Sequence, residues 1–366
     1  MADSLNYHAQ ATIKRMNRLR ALEKELPLVC TDFFRSISQT TSSLTRLAYA
    51  YDFRLFFQYL TRENPFFADT EPRFMTDKHL QMIQKRDIDG FQEYLMQYYN
   101  NNEETGETSV VQNHELGIMR KLCSLRSLFD YLYKNGHIDG NIATLVELPK
   151  IHDKPILRLE RDEMQKMLDA VSSGEGLTPA QQRYLNYTRV RDTAILLLFL
   201  GTGIRVSECV GLNMDDLDFE LNAFLVTRKG GDQSILYFPD QVADALKAYL
   251  VQRKEIVPVN DQDKDALFLS LQKKRMTQRA IENMVKKYAL IAAPLKKRIS
   301  PHKLRSTFGT NLYQETGDIY LVADVLGHSD VNTTRRHYAA MSDANKRKAS
   351  RMVPLPVTEN PPESKE

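Results

Sequence analysis

The sequence predicts a mostly α-helical protein with two domains, the second of which also contains a small antiparallel β-sheet. Three observations lead to this fold class. Apolar residues recur every three or four positions through most of the chain, the period of an amphipathic helix. Two short apolar segments flank a Lys-Gly-Gly turn, a pattern typical of a β-hairpin. A segment with two prolines and no periodicity, Leu148 to Pro155, separates the two halves of the chain.

The first half contains three predicted helices. Residues 1–26 form an amphipathic pattern with a basic flank, and a second helical pattern runs from Leu44 to Leu60. A third runs from about His114 to Lys134, and Gly136 is its predicted end. The polar segment from Asn100 to Gly106 is predicted to be a loop. The predicted core face of the third helix consists of Ile118, Leu122, Leu125, Leu128, Phe129 and Leu132.

The second half begins with a predicted helix from Arg161 to Val171, followed by a polar insert from Ser172 to Gln182. A strongly apolar helix is predicted from Ala194 to Leu200. The predicted hairpin pairs Ala223–Thr227 with Ser234–Phe238, and helical periodicity returns after residue 240. The Pro- and Glu-rich tail from residue 354 onward is predicted to be disordered.

The composition of the 366 residues, with 42% apolar and 27% charged residues, is that of a soluble globular protein. The longest apolar run has seven residues (194–200), far below the roughly 20 needed to span a bilayer. The N-terminus lacks the apolar stretch of a signal peptide, so the cytoplasm is the expected compartment. Cys30, Cys123 and Cys209 form no CxxC pair, which predicts neither a disulfide framework nor a zinc site.

The net charge of +3 excludes only a protein that is basic over its whole surface, because the charge is segregated along the chain. Residues 1–150 have a net charge of −1 and residues 151–366 of +4. A window of 38 residues, from Leu271 to Phe308, holds eleven basic residues and one acidic residue. Such an excess indicates contact with a phosphate backbone, although a solvated basic face is the alternative interpretation.

Short motifs around this window contain the residue types that phosphoryl transfer requires. Each motif alone is weak, but they occur in a fixed order: Arg191-Asp192, the TGxRxSE segment with Arg205, the hairpin Lys229, the HxLR box with His302 and Arg305, the LGH box with His328, and finally Tyr338. From about residue 44 to residue 339, this ordered set resembles the tyrosine recombinases, the phage-integrase and Xer-like family of site-specific DNA recombinases.

The resemblance implies the role of each residue. Tyr338 would attack the scissile phosphate and form a 3′-phosphotyrosine, while Arg205 and Arg305 would hold the non-bridging oxygens through their bidentate forks. His328 would donate a further hydrogen bond to the phosphate, and His302 would assist removal of the tyrosine proton. Lys229 would protonate the leaving 5′-oxygen. The reaction would need neither metal nor ATP nor any other cofactor, because two arginines supply the positive charge.

The same resemblance implies the domain organisation and the partners. Residues 1–40 would be a helical extension, 41–148 a core-binding (SAM-like) DNA-binding domain, 149–157 a linker, 158–352 the α-helical catalytic domain and 353–366 a disordered tail. The tyrosine recombinase fold combines such a helical domain with a catalytic domain that contains a small antiparallel sheet. The expected partners are double-stranded DNA with paired recombination sites and three further copies of the chain, in a tetramer that forms a Holliday junction.

Several alternatives remain open at the level of sequence. Arg205 could serve only to pair with Glu208, and the neighbouring Arg228 competes with Lys229 as a proton donor. Tyr313 and Tyr320 are rival nucleophiles, but they precede the LGH box and are expected in the core. The whole protein could be a type IB topoisomerase or a DNA-binding protein without chemistry. The biological role could be integration and excision of a mobile element or resolution of chromosome dimers.

Overall fold

A computed structural model of the chain describes residues 7–101, 106, 108–152, 157–228 and 231–327. The chain divides into two compact units, Met1–Lys154 and Pro155–Glu366, which are described separately. The structure is mostly helical with small antiparallel sheets, as the sequence predicts. The predicted tail lies outside the described residues.

The described part of the first unit is a helical assembly with one hairpin. In chain order its helices and strands are α1 (Tyr7–Glu23), α2 (Leu28–Ser36), α3 (Ser43–Glu63), α4 (Asp77–Gln81), α5 (Lys85–Tyr94), β1 (Gln97–Asn101), β2 (Thr108–Gln112) and α6 (Glu115–Lys134).

Helices α3 and α6 lie where apolar periodicity predicts them. The Ser42 side chain accepts a hydrogen bond from the Thr45 backbone N–H at 3.2 Å and so caps the start of α3. Every predicted core residue of α6 is buried, which confirms the predicted face. Gly136, with φ +74°, follows the last turn of α6 in the left-handed conformation that ends many helices.

The hairpin of β1 and β2 corrects the start of the predicted polar loop of 100–106, whose residues 102–105 lie outside the described residues. Asn100 and Asn101 belong to β1, which pairs antiparallel with β2, so that Gln97 lies opposite Gln112. The described side chains of the two strands are exposed or partly exposed, so the hairpin lacks the buried apolar face that periodicity arguments depend on. The described part of the connection between them is Gly106, with φ +68°.

The second unit is also helical and contains a three-stranded sheet. In chain order its described helices and strands are α7 (Arg161–Ser173), α8 (Pro179–Thr202), α9 (Val206–Gly211), β3 (Leu217–Asp218), β4 (Ala223–Thr227), β5 (Gln233–Tyr237), α10 (Asp240–Lys254), α11 (Gln278–Ala292), α12 (Pro301–Thr316) and α13 (Ile319–Leu326).

Helix α8 is much longer than the predicted apolar segment and begins inside the predicted polar insert. The Thr178 side chain accepts a hydrogen bond from the Gln181 backbone N–H, and the Gln181 side chain accepts one from the Thr178 N–H at 3.0 Å. This capping box, with Pro179 at the first helical position, starts the helix 15 residues before its predicted start at Ala194. Helix α8 packs against α7, α10 and α12 and is the central helix of the unit.

The sheet has the order β3-β4-β5, with both pairs antiparallel. The predicted pairing of two strands is confirmed, with Ala223 opposite Tyr237 and Thr227 opposite Gln233. The short strand β3 adds a third member that the sequence pattern does not reveal. The predicted turn residues Lys229 and Gly230 lie outside the described residues.

A buried polar network ties α8 to α11. The Asp192 side chain is 1% exposed and accepts hydrogen bonds from the Arg191 guanidinium at 2.7 and 3.0 Å and from the Tyr288 hydroxyl at 3.0 Å. The Lys287 ammonium lies 3.5 Å from the same carboxylate. Burial raises the pKa of Tyr288 above its ordinary value, so the hydroxyl stays protonated and donates to Asp192.

In the described parts of the chain, every helix is too short or too polar to cross a membrane. The three cysteines are free thiols, with Cys30 and Cys209 buried and Cys123 exposed.

Candidate functional site: convergence of two arginines

Three of the six predicted site residues, Arg205, His302 and Arg305, belong to the part of the chain that the structure describes. Lys229, His328 and Tyr338 lie outside it. The described part of the site therefore consists of the two arginines, His302 and the chain that leads directly into His328.

Arg205 lies at the start of α9 and is oriented by Glu208. The Arg205 backbone N–H donates to one Glu208 carboxylate oxygen at 2.9 Å, and its Nη1 donates to the other at 2.7 Å. The Glu208 side chain is 4% exposed, whereas that of Arg205 is 35% exposed. The buried carboxylate thus fixes a guanidinium that is still accessible from solvent.

The other terminal nitrogen of Arg205 contacts the end of α13. Nη2 donates to the Gly327 carbonyl at 2.8 Å and to the Leu326 carbonyl at 3.3 Å. Helix C-terminal carbonyls lack intrahelical partners and carry partial negative charge, so they are suitable acceptors for an arginine. Residues 122 positions apart in sequence are brought together in this way.

Arg305 reaches the same place from α12. It is 6% exposed, its Nη1 donates to the Gly203 carbonyl at 2.5 Å, and its Nη2 donates to the Leu326 carbonyl. A buried guanidinium requires such acceptors, because a buried charge without them is strongly destabilising. The Leu326 carbonyl accepts from both arginines and therefore sets the separation between them.

Gly203 makes this contact possible. It ends α8 with φ +63°, a conformation that favours glycine, and an added Cβ would lie 2.5 Å from Cδ1 of Phe308 on α12. The Gly residue thereby allows α8 and α12 to approach closely enough for Arg305 to bond the Gly203 carbonyl.

His302 lies in the first turn of α12, one helical turn before Arg305, and its side chain is exposed. The spacing of three residues places the two side chains on neighbouring positions of one helix face. The backbone carbonyl of His302 accepts a hydrogen bond from the Ser306 hydroxyl at 3.0 Å, which ties the first turn to the next.

The basic window of 271–308 has two kinds of residue. Arg275, Lys287, Lys296 and Arg305 are partly or fully buried and donate to groups within the second unit. They therefore contribute to the structure of the unit. The exposed remainder of the window includes Lys273, Lys274, Lys286, Lys297 and Arg298.

The two rival tyrosines differ from each other. Tyr313 is partly buried and packs against Val322 and Leu326, as expected for a core residue. Tyr320 is 71% exposed, so the expectation that it lies in the core is wrong. It occupies the first turn of the short helix α13, whose buried face consists of Val322, Ala323 and Leu326.

Sequence reasoning missed the acceptors that bring the arginines together, namely the carbonyls of Gly203, Leu326 and Gly327. Backbone acceptors leave no residue-type signal, although a glycine after an apolar helix marks a left-handed C-terminus and hence free carbonyls. Among the described residues, no group of three or more His, Cys, Asp or Glu side chains could hold a metal ion.

Residues 158–345 match the phage integrase family. The chain is 32% identical to the tyrosine recombinase XerC of Caldanaerobacter subterraneus subsp. tengcongensis, over 94% of this chain and 92% of that protein. It is 36% identical to the XerC protein of Thermodesulfovibrio yellowstonii, over 60% of this chain and 69% of that protein.

Two solved structures show the same fold. The XerH site-specific recombinase bound to a palindromic difH substrate superposes with a TM-score of 0.60 at 19% identity, covering 96% of this chain and 90% of XerH. The Tn1549 transposon integrase in complex with circular intermediate DNA superposes with a TM-score of 0.60 at 20% identity, covering 88% of this chain and 98% of the integrase. The chain belongs to the phage integrase family, the tyrosine recombinases.

Proposed function

We propose that the chain is a site-specific DNA recombinase that cleaves and rejoins DNA through a 3′-phosphotyrosine on Tyr338. The observation that carries this proposal is the convergence of Arg205 and Arg305 on the carbonyls of residues 326 and 327. Two guanidinium groups held at one point can bind the two non-bridging oxygens of one phosphodiester. The His328 box follows this point directly in the sequence.

In the proposed reaction the Tyr338 oxygen attacks the phosphorus and the bond from phosphorus to the 5′-oxygen breaks. His302 accepts the tyrosine proton, and Lys229 gives a proton to the departing 5′-oxygen. The arginines and His328 stabilise the charge that develops on the phosphate oxygens. Attack of a 5′-hydroxyl from the partner duplex on the phosphotyrosine reverses these steps, so the bond energy is retained without ATP.

The chain would act as a tetramer on paired sites in double-stranded DNA and pass through a Holliday junction, in the cytoplasm. Residues 41–148 would be the core-binding (SAM-like) DNA-binding domain behind the helical extension 1–40, and residues 158–352 the catalytic domain. The relatives named tyrosine recombinase XerC support this proposal, as do the two structures of the same fold, which were solved with a difH substrate and with circular intermediate DNA. Either integration and excision of a mobile element or chromosome-dimer resolution would use the same chemistry.

Covalent capture from genomic DNA tests the proposal on every candidate target sequence at once. Sheared genomic DNA of the organism that encodes the chain is incubated with the full protein, and SDS-resistant protein–DNA adducts are isolated and sequenced. We expect adducts at one type of locus, and no adducts with Tyr338→Phe, because the phenol oxygen is the only atom removed. Adducts that persist in Tyr338→Phe, or none from the unaltered protein, would contradict the proposal.

The sequence of the captured locus separates the alternatives. Adducts at the ends of a mobile element or at one chromosomal site support the corresponding recombinase role. Adducts scattered over the genome, together with relaxation of a plasmid that lacks the locus, are the result expected of a type IB topoisomerase.

Lys229→Ala should block cleavage of an ordinary DNA phosphodiester but leave cleavage of a 5′-thio-substituted one nearly unchanged. A thiolate leaves without protonation, whereas an alkoxide requires a general acid worth about 10²- to 10⁴-fold in rate. The rates of adduct formation on the two substrates, matched in sequence to the captured locus, give the comparison. Equal loss on both substrates would rule out Lys229 as the proton donor.

A further inference from the structure

Arg228 is a described residue next to the site to which the proposed reaction assigns no role. It follows β4 directly and immediately precedes Lys229 in the sequence. Its backbone N–H donates to the Asp232 carbonyl at 2.7 Å, and the Gly231 N–H donates to the Arg228 carbonyl at 3.1 Å. These two bonds fix the backbone from which the Arg228 side chain extends.

The Arg228 guanidinium lies against Gly327. An added Cβ at residue 327 would overlap Nη1 and Cζ of Arg228, and the φ of +59° at Gly327 also favours glycine. The carbonyl of the same residue accepts from Arg205 at 2.8 Å, and the preceding carbonyl accepts from Arg305. Three guanidinium groups from three separate segments therefore meet at residues 326 and 327.

The Nε atom of Arg228 is buried and has no hydrogen-bond partner among the residues that the structure describes. Leaving a buried donor unpaired is destabilising, and more so when the group is charged. The Glu208 carboxylate beside this cluster pairs with Arg205, and both of its oxygens already accept from that residue. The Arg228 guanidinium therefore needs a hydrogen-bond acceptor other than Glu208.

We propose that Arg228 is a third phosphate-binding arginine, which donates to the same DNA phosphate as Arg205 and Arg305. A phosphate oxyanion would satisfy the buried Nε and would offset the repulsion between three like charges. This inference rests on the proposed function, because its ligand is the phosphate that Tyr338 attacks. The planar fork of a guanidinium suits it to hold phosphate oxygens, so Arg228 binds the phosphate and proton donation is left to Lys229.

Inorganic phosphate is the probe that tests this site without a target sequence. The unfolding midpoint of the full chain is measured as phosphate is added, with sodium chloride adjusted to hold the ionic strength constant. A ligand that binds only the folded state raises the midpoint, because it stabilises that state by RT ln(1 + [L]/Kd). We expect the midpoint of the unaltered protein to rise with the logarithm of the phosphate concentration once that concentration exceeds Kd, and the apparent Kd to be about tenfold larger in Arg228→Gln.

Two further variants separate binding from folding. Arg161→Gln, which removes an arginine that is 83% exposed on α7, should leave the phosphate Kd unchanged. Arg228→Lys keeps the charge but loses Nε and the fork, and should give an intermediate Kd. An Arg228→Gln protein that unfolds at lower temperature but keeps the original phosphate Kd would overturn the proposal, as would an unaltered protein that phosphate does not stabilise.

The outcome is independent of the covalent-capture experiment. If the phosphate Kd depends on Arg228 but the protein forms no adducts, the anion site stands and the recombinase function is refuted. If the protein forms adducts that require Tyr338 but its phosphate Kd does not change in Arg228→Gln, the recombinase function stands and the role of Arg228 is refuted.

Discussion

Arg305→Lys is expected to lower the rate of covalent adduct formation by about 10²- to 10³-fold, the loss seen when one preorganised donor to a reacting oxyanion is removed. Lysine keeps the positive charge but cannot bond the carbonyls of Gly203 and Leu326 together, as Arg305 does. The ammonium would also bind the phosphate through a single centre instead of a planar fork. The measurement is the initial rate of adduct formation on DNA of the captured locus.

Arg298→Lys is the matched control for this prediction. Arg298 belongs to the same basic window, seven residues before Arg305, and its side chain is exposed. An exposed arginine that contributes only to the electrostatic attraction of DNA tolerates replacement by lysine, so the adduct rate should stay within about twofold. If Arg305→Lys also stayed within that range, the proposed phosphate clamp would be wrong.

Asp192→Asn is expected to destabilise the second unit by about 3 kcal/mol or more, the usual cost of removing one partner from a buried ion pair. The substitution leaves the buried Arg191 guanidinium and the nearby Lys287 ammonium without their carboxylate. Burial lowers the pKa of Lys287, and the Asp192 charge is the main influence that raises it. Loss of Asp192 therefore further disfavours the charged form of Lys287. The Tyr288 hydroxyl would also lose its charged acceptor.

Hydrogen exchange measured peptide by peptide reports this loss with an internal reference. A loss of about 3 kcal/mol corresponds to roughly 100-fold faster exchange of the most protected amides of α8 and α11, while peptides of α3 and α6 in the first unit should keep their rates. The control Asp162→Asn alters an exposed ion pair with Lys166 and should change neither unit by more than about 0.5 kcal/mol. Unchanged exchange of α8 in Asp192→Asn would show that the network does not stabilise the unit.

The elements predicted well are those whose sequence pattern reports burial directly. The six predicted core residues of α6 are all buried, because a regular apolar face of a long helix must face the interior. The strand Ala223–Thr227 is found with its predicted bounds, because β-branched and aromatic residues beside a turn signal favour a strand.

The elements predicted poorly depend on other signals. The hairpin of β1 and β2 exposes residues such as Tyr99 and Val110, so no strand is predicted there, and only Asn100 and Asn101 of β1 fall within the predicted polar loop of 100–106. The start of α8 at Pro179 is set by the Thr178 capping box, a local signal that apolar periodicity does not contain. The start of α8 is therefore specified by cap residues more than by the spacing of apolar ones.

The site shows the same division. Arg205, His302 and Arg305 can be named from ordered motifs, because phosphate chemistry restricts which residue types can serve. Their convergence cannot be predicted, because it depends on backbone carbonyls at Gly203, Leu326 and Gly327 that any sequence supplies. The position of Arg228 against Gly327 depends on tertiary contact alone, so the sequence indicates Arg228 only as a rival to Lys229.

The most direct measurement of the central claim is identification of the tyrosine that carries DNA. The adduct formed at the captured locus is digested with nuclease and protease, and the nucleotide-bearing peptide is sequenced by mass spectrometry. We expect a single modified residue, Tyr338, linked through its phenol oxygen to a 3′-phosphate. A nucleotide on the exposed Tyr320, on Tyr313 or on any residue other than Tyr338 would contradict this expectation.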